Sequence, residues 1–205
     1  MTTKYEVIFI NNSSYLGDVC IFQEYPNIND PNFMTLAWIA KKTNPDVTDT
    51  FTWDADPCFV WCETGELVSG ITFSSSQVVK AEIEENNTIT FTKKDGAFQF
   101  INLETGKNVD GKLYIICDNT IPLNQASVGI GMAGSATFVA QAAPNLMYGL
   151  DTRSSYKITF GNFTQGEVID PNKLYQTASI DFPVNVYSMT AILNADNTWT
   201  IAPTE

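Results

Sequence analysis

The chain has 205 residues, a formal net charge of −12 at pH 7, and 44% hydrophobic and 12% aromatic residues, a composition typical of a folded globular protein. The negative charge disfavours nucleic acid and anionic membranes as partners, because both are negatively charged themselves. The chain has no histidine, which excludes Ser-His-Asp catalysis, Cys-His catalysis and histidine-ligated metal sites.

The N-terminal residues 1–14, MTTKYEVIFINNSS, carry one lysine and then alternate in the manner of a strand. They lack the apolar stretch of about seven to fifteen residues that a signal peptide contains. No apolar run in the chain approaches the roughly 18 residues of a membrane span. We therefore expect a cytoplasmic protein, for which any release from the cell would be non-classical.

Most of the chain alternates with a period of two, which is the pattern of β-strands. These segments are rich in Val, Ile, Thr and aromatic residues and are bounded by Asn, Asp, Gly or Pro. Residues 33–42 fit a short helix or a buried strand, and Asp95-Gly96 predicts a tight hairpin. The predicted strands are 5–11, 18–24, 78–84, 88–92, 112–117, 137–141, 156–160, 186–193 and 198–201. The prediction is an all-β fold, an antiparallel β-sandwich with little helix, in a single domain over residues 1–205.

Two segments have a similar pattern, residues 5–19 and residues 156–168. Each gives Tyr-x-Val/Ile-x-Phe-x-Asn, then a loop, then Gly, an acidic residue and Val. This likeness leads to the hypothesis of an internal pseudo-repeat in which the two strands lie in equivalent places. The glycine-rich residues 129–136 lack the lysine of a phosphate-binding loop and indicate close sheet packing or a bulge.

Residues 51–65, FTWDADPCFVWCETG, admit a metal site, a disulfide, a carboxylate active site or a β-hairpin. On one strand Cys58 and Cys62 would be about 13 Å apart, beyond the roughly 7 Å Cα limit of a disulfide. Cys20 and Cys117 stand alone in other strands. This spacing favours buried free thiols, and we expect neither a bound metal nor a cofactor.

The carboxylates of the chain suggest two further kinds of site. Glu63 and Glu167 lie near strand ends beside glycines, and a pair about 5–9 Å apart would suit glycosidase chemistry. Asp46, Asp49, Asp54 and Asp56 supply calcium-type oxygen ligands, but without the spacing of a known calcium loop.

The aromatic residues give the stronger indication of function. Trp38, Trp53, Phe59 and Trp61 fall within 24 residues, as counted from the sequence. Exposed indole faces flanked by amides and carboxylates can bind sugars, whereas buried indoles only fill a core. We predict two strands around a tight turn at residues 54–57, with Trp61 in the core and Trp53 on the rim. The candidate ligand-binding residues are Trp53, Asp54, Asp56, Glu63 and Gln23.

Seven segments together resemble the rhizosphere-induced protein family (RhiA-like). They are INNSS, CIFQEYPN, LAWIA, FTWDADPCFVWCETGELVSG, SVGIGMAGSATFVAQAAPN, GNFTQGEVID and FPVNVYSMTAILNADNTWTIAPT. The resemblance spans nearly the whole chain. It implies a soluble bacterial protein, abundant under population-density control in a plant-associated setting. The family brings no established molecular activity, so no residue role is carried over.

The sequence therefore predicts a non-enzymatic β-sandwich protein that binds a ligand, with a carbohydrate as the favoured class. The first alternative is a self-associating structural protein, since acidic β-proteins can stack through edge strands. The second is a carboxylate-dependent hydrolase. The expected partners are a glycan ligand and further copies in a homo-oligomer, and we assign no catalytic residue.

Overall fold

A computed structural model describes residues 3–25, 33–106, 111–153 and 155–205, and it is all-β. The strands are β1 Lys4–Asn11, β2 Gly17–Glu24, β3 Phe33–Thr35, β4 Ile39–Thr43, β5 Thr48–Asp54, β6 Pro57–Cys62, β7 Gln77–Lys80, β8 Thr88–Lys94, β9 Ala97–Glu104, β10 Lys112–Cys117, β11 Ser127–Met132, β12 Ser135–Gln141, β13 Met147–Asp151, β14 Ser155–Gly161, β15 Ala178–Ile180, β16 Ser188–Leu193 and β17 Trp199–Pro203. One 3₁₀ turn, Pro171–Lys173, is the helical structure within these ranges, and no helix there could span a membrane. The prediction of an antiparallel all-β sandwich is confirmed.

The strands form four sheets. Sheet I has the order β17-β16-β1-β5, and sheet II has the order β15-β14-β2-β4. Sheet III has the order β3-β12-β11-β6-β7, and sheet IV has the order β13-β10-β8-β9. Neighbouring strands run antiparallel except in two pairs, β1 with β16 and β8 with β10, which run parallel.

Sheets I and II face each other and form what we call the first unit. Its core contains Val7, Phe9, Ile21, Trp53 and Ile158, among other buried side chains. The alternation of β5 explains how such a core arises, because Phe51 and Trp53 are buried while Thr50 and Thr52 are exposed. The first unit holds both ends of the chain, since β1, β2, β4 and β5 together with β14 to β17 supply its two sheets.

Sheets III and IV form the second unit, which is built from β6 to β13 with β3 added at the edge of sheet III. Its core contains Phe59, Trp61, Phe91, Ile115 and Phe138, together with other buried residues. The two units are joined by backbone pairing, because β3 pairs with β12 and Thr72 forms a β-bridge with Glu167. A single domain over residues 1–205 stays a prediction.

Several local predictions are confirmed. Asp95 and Gly96 both have positive φ in the β8–β9 hairpin. The glycine-rich residues 129–136 form the β11–β12 hairpin with a register shift after Ile130, and a Cβ on Gly129 would lie 1.9 Å from the Phe138 oxygen. Residues 33–42 contain strand and no helix, and the strand predicted over 78–84 ends at Lys80.

The prediction of a hairpin at residues 51–65 is wrong. Strand β5 pairs with β1 in sheet I, whereas β6 pairs with β11 and β7 in sheet III. Ala55 and Asp56 therefore carry the chain from the first unit to the second. Trp53 and Trp61 lie in different cores, so they cannot pair across a turn.

The two segments of the hypothesised pseudo-repeat lie in facing sheets of the first unit. Strand β1 lies between β16 and β5 in sheet I, with β16 parallel to it. Strand β14 lies between two antiparallel neighbours, β15 and β2, in sheet II. The two strands therefore do not occupy equivalent places. Their shared pattern reflects inward-facing residues of two strands that pack into one core.

Candidate functional site

Trp53 is buried and does not form a ligand rim. Its side chain is 3% exposed, and its indole N–H donates to the Tyr156 hydroxyl at 3.3 Å. The ring packs edge-on against Trp38, with a centroid distance of 5.3 Å. The rim prediction fails because sheet II covers the inward face of β5. The prediction that Trp61 is a core residue is confirmed, and its indole N–H donates to Gln77.

Gln23 belongs to the same buried cluster as Trp53. Its side-chain amide donates to the Met132 sulfur at 3.5 Å, and the Tyr156 hydroxyl donates to that sulfur at 3.2 Å. Burial raises the pKa of Tyr156. Sequence reasoning thus chose two residues that lie close together in an interior polar network, and Trp53 also borders a groove of about 360 Å³ with Trp38 and Phe51.

The three predicted carboxylates are exposed or partly exposed, and Glu63 lies far from Asp54 and Asp56. Asp54 ends β5, Asp56 lies in the link before β6, and Glu63 follows β6. Since β6 is an extended strand, Asp56 and Glu63 are about 23 Å apart along it. Asp56 borders a shallow groove with residues 80–85, remote from Glu63. The five predicted ligand residues therefore do not form one site.

Two of the other carboxylates form ion pairs, and the cysteines form no disulfide with one another. Asp49 is buried and forms an ion pair with Lys41, and Glu167 forms one with Lys173. The four cysteines are free, with Cys62 the most exposed of them. Within the described ranges no three His, Cys, Asp or Glu side chains are placed to share a metal ion.

A cleft opens on the second unit among the described residues. It has a volume of about 660 Å³. It lies where β12 ends and β13 begins, and β3 and the loop after β6 complete its walls. Its lining residues are Phe33, Met34, Glu66, Leu67, Asn124, Gln141, Ala143, Leu146, Met147, Tyr148 and Gly149.

Gln141 holds the floor of the cleft in place. Its side-chain oxygen accepts from the Leu67 amide at 2.6 Å, and its side-chain nitrogen donates to the carbonyls of Gly65 at 3.1 Å and Ala126 at 2.8 Å. The Tyr148 hydroxyl donates to the Gln141 carbonyl at 2.5 Å. Burial raises the pKa of Tyr148 to about 12. These bonds fix the loop after β6 against the end of β12.

The remaining groups around the cleft are free to meet a ligand. Glu66 and Asn124 are exposed polar residues on opposing loops, and Asn124 has a φ of 57°. Leu146 and Met147 are 48% and 64% exposed and give the cleft an apolar wall. Sequence reasoning missed all four. The signal that the sequence offers near the cleft is the turn-forming pair Pro144-Asn145, and a turn alone does not indicate a binding site.

Comparison with known proteins agrees with the resemblance seen in the sequence. The sequence model of the RhiA family matches residues 2–204. Protein RhiA from Rhizobium leguminosarum bv. viciae is 34% identical over 204 residues, which cover 98% of this chain and 87% of that protein. This chain belongs to the RhiA family. The family match extends over both units of the fold, and no solved structure matches the chain.

Proposed function

We propose that this member of the RhiA family is a non-enzymatic binding protein that holds a short carbohydrate in the cleft of its second unit. The observation that carries the proposal is the lining of the cleft. Aromatic and aliphatic walls at Phe33, Tyr148 and Met147 lie beside the exposed polar side chains of Glu66 and Asn124. The site differs from the one expected around Trp53.

A carbohydrate suits this combination of groups. Sugar rings present C–H faces that pack on apolar and aromatic surfaces, while carboxylates and amides accept from and donate to the hydroxyls. A volume of about 660 Å³ lies within the range of small-molecule sites, which is roughly 300–1,000 Å³. Gln141 has its side-chain groups engaged by backbone atoms, so we assign it a supporting role.

The acidic content of the cleft supports binding over hydrolysis. Glycoside hydrolysis generally needs two carboxyl groups about 5–9.5 Å apart across the scissile bond. Among the described lining residues Glu66 is the one carboxylate. The carboxylate-dependent hydrolase is therefore the weaker proposal for this site.

The test is a glycan array on purified protein, followed by calorimetric titration with the strongest ligand. We expect Glu66→Gln and Asn124→Ala each to weaken binding roughly 10-fold or more, because each removes a hydrogen bond to a hydroxyl. Glu84→Gln is the matched control, since Glu84 is an exposed carboxylate outside the cleft. An array without ligands, or equal weakening by the control, would refute the proposal.

Self-association is a second candidate, favoured by the outer face of sheet IV. One row across this sheet consists of Met147, Ile116, Thr90 and Ile101. None of these four ionises, so this row adds no charge to the repulsion between two copies of a protein whose net charge is −12. We propose that a second copy packs on this face.

Sedimentation analysis of Ile116→Lys tests the second candidate. We expect this variant to be monomeric where the unmodified protein forms dimers. Ile10→Lys, on the outer face of sheet I, is the control and should leave dimers intact. A monomeric unmodified protein would contradict the candidate. Glu66 and Asn124 do not belong to the row on sheet IV, so their variants test carbohydrate binding separately.

We further propose that the protein acts in the cytoplasm. The support is its four free cysteines, because free thiols persist in reducing compartments.

A further inference from the structure

The two units have the same strand order. In the second unit, β7-β6-β11-β12 faces β13-β10-β8-β9, and in the first unit β15-β14-β2-β4 faces β5-β1-β16-β17. Strands β6, β7, β8 and β9 of the second unit correspond to β14, β15, β16 and β17 of the first unit. Strands β10, β11, β12 and β13 correspond to β1, β2, β4 and β5. The single parallel pair of each unit falls at the same place, β8–β10 and β16–β1. Strand β3 is the one described strand without a counterpart.

The correspondence extends to individual hydrogen bonds. In sheets I and IV, the last residue of β1 and of β10 donates its amide to the residue just before the antiparallel neighbour, β5 or β13, and the following residue donates to the parallel neighbour, β16 or β8. The matched bonds are Asn11 N to Val47 O at 3.0 Å and Cys117 N to Leu146 O at 2.8 Å, then Asn12 N to Leu193 O at 2.9 Å and Asp118 N to Phe91 O at 3.1 Å. Equal strand order alone would not require this equal register.

The turns correspond as well. Asp46 and Asn145, each preceded by proline, have φ values of 61° and 59° between matched strands. The loops after β6 and β14 both contain Gly-Glu with a left-handed glycine, at Gly65 (φ 68°) and Gly166 (φ 81°). These two loop regions also pair with each other, because Phe73 N donates to the Gly166 carbonyl at 2.8 Å.

We infer that the chain consists of two copies of one eight-stranded unit, joined head to tail. One copy is divided between the two ends of the chain, so that the N-terminal and the C-terminal strands together complete the first unit. The links that begin at Ala55 after β5 and at Thr152 after β13 are then equivalent crossovers between copies. The gap between the chain ends corresponds to the loop from β9 to β10. Strands β6 to β13, which form the eight-stranded copy in the second unit, are continuous in sequence, whereas the first unit is closed only when β14 to β17 dock on β1, β2, β4 and β5.

A circular permutant tests this inference on the complete chain. The permutant begins at Asp56, runs to Glu205, continues through a short Gly-Ser linker to Met1 and ends at Ala55. The linker is short because Pro203 and Val7 lie on the same row of sheet I, two strands or about 10 Å apart. Each unit is continuous in this permutant. We expect it to reach the near-UV circular dichroism spectrum of the parent protein.

Proteolytic cleavage of the parent protein and of the permutant at the same link, between β13 and β14, makes the test more specific. A protease site is placed between Arg153 and Ser155, and Trp61→Phe leaves Trp38, Trp53 and Trp199 to report on the first unit. In the cut parent, the first unit is shared between two fragments, so its melting temperature should fall by about 5 °C on tenfold dilution. In the cut permutant each fragment holds a whole unit, and we expect a change below about 1 °C.

Two results would overturn the inference. One is a permutant that fails to attain the native spectrum while a permutant opened between Ala133 and Gly134, inside the second unit, attains it. The other is equal concentration dependence in the cut parent and the cut permutant, which would mean that the units are not self-contained.

Discussion

At the scale of single residues, burial decides what the chemically versatile side chains of this protein do. Trp53 and Gln23 have the groups of a sugar site, yet both are engaged inside the first unit by Tyr156 and Met132. Glu66 and Asn124, which carry no distinguishing pattern in the sequence, are exposed at a cleft. Residue type alone therefore did not separate ligand groups from core groups.

Replacement of Trp53 tests its place in the core. We expect Trp53→Ala to lower the free energy of unfolding by about 3–5 kcal/mol, because it leaves a cavity among Trp38, Tyr156 and Phe182. Thr52→Ala, at the exposed neighbouring position, should change stability by less than about 0.5 kcal/mol. The measurement is urea unfolding, and equal small effects would contradict the buried placement.

The buried thiols and Tyr148 predict a loss of stability in alkali. Burial raises the pKa of Cys117 from 9.0 to about 12 and that of Tyr148 from 10.0 to about 12. The unfolded chain loses these protons first, so stability is complete below about pH 9 and falls as the pH rises towards 12. Once the group is ionised in the unfolded chain, each such group lowers the free energy of unfolding by about 1.4 kcal/mol for every unit that the pH rises.

Cys117→Ala provides the control for this pH dependence. Urea unfolding between pH 8 and about pH 10.5 should show a shallower decline for the variant, by up to about 1.4 kcal/mol per pH unit. An unchanged slope would mean that the Cys117 thiol is not protected in the folded state.

At the scale of elements, alternation identifies strands but not their partners. Strands β1, β2, β8, β10, β14 and β16 were each predicted from the sequence, because each is rich in Val, Ile, Thr or aromatic residues and is bounded by turn-forming residues. Strands β9, β11, β13 and β15 were not predicted, and in β11 two glycines interrupt the run of large apolar residues. The hairpin at residues 51–65 was wrong because a two-residue link looks like a turn whether its strands pair or pass into different sheets.

The glycines of β11 show how closely this element packs. We expect Gly129→Ala to cost about 3 kcal/mol or more, since its Cβ would meet the backbone of Phe138 and the strand would have to move. Gly134→Ala, in the turn of the same hairpin, has open space but a φ of +79°, and should cost about 1–2 kcal/mol. Thermal unfolding of both variants decides the order, and a larger loss at Gly134 would contradict the register of β11 with β12.

At the scale of the whole molecule, the two units share a topology but differ where a ligand would bind. The Pro144-Asn145 turn of the second unit corresponds to the Pro45-Asp46 turn of the first unit. Tyr148 of the cleft is therefore equivalent in position to Asp49 of the first unit. Asp49 is buried and paired with Lys41, so a charged contact occupies the position that the Tyr148 ring takes in the second unit. Together with the contribution of β3, which has no counterpart, this restricts the cleft to the second unit.

Removal of the C-terminal strands tests the separation of the units. A chain that ends at Tyr187 lacks β16 and β17, which are half of sheet I. We expect the first unit to unfold, so that acrylamide quenches Trp38 and Trp53 while Trp61 stays shielded in the second unit. Trp61→Phe in the same truncated chain identifies the shielded signal, and removal of Thr204 and Glu205 alone is the control. Loss of shielding at Trp61 would contradict independent cores.

The sequence by itself determined the class of this protein and its family. Alternating apolar residues, turn residues with positive φ and the absence of helical periodicity together require a β-rich fold, because these features act through nearest neighbours in the chain. The family likeness also resides in the order of segments, and the match over residues 2–204 confirms it.

Only the tertiary structure decided which sheets the strands join, where the tryptophans lie and where a cleft opens. Strand β1 pairs in parallel with β16, more than 180 residues away in the chain, and no local signal specifies that partner. Such pairing depends on which faces can be buried together once all strands exist, so it follows from the packing of the whole chain. The cleft likewise exists because β3, the loop after β6 and the β12–β13 turn meet in space, although they are far apart in sequence.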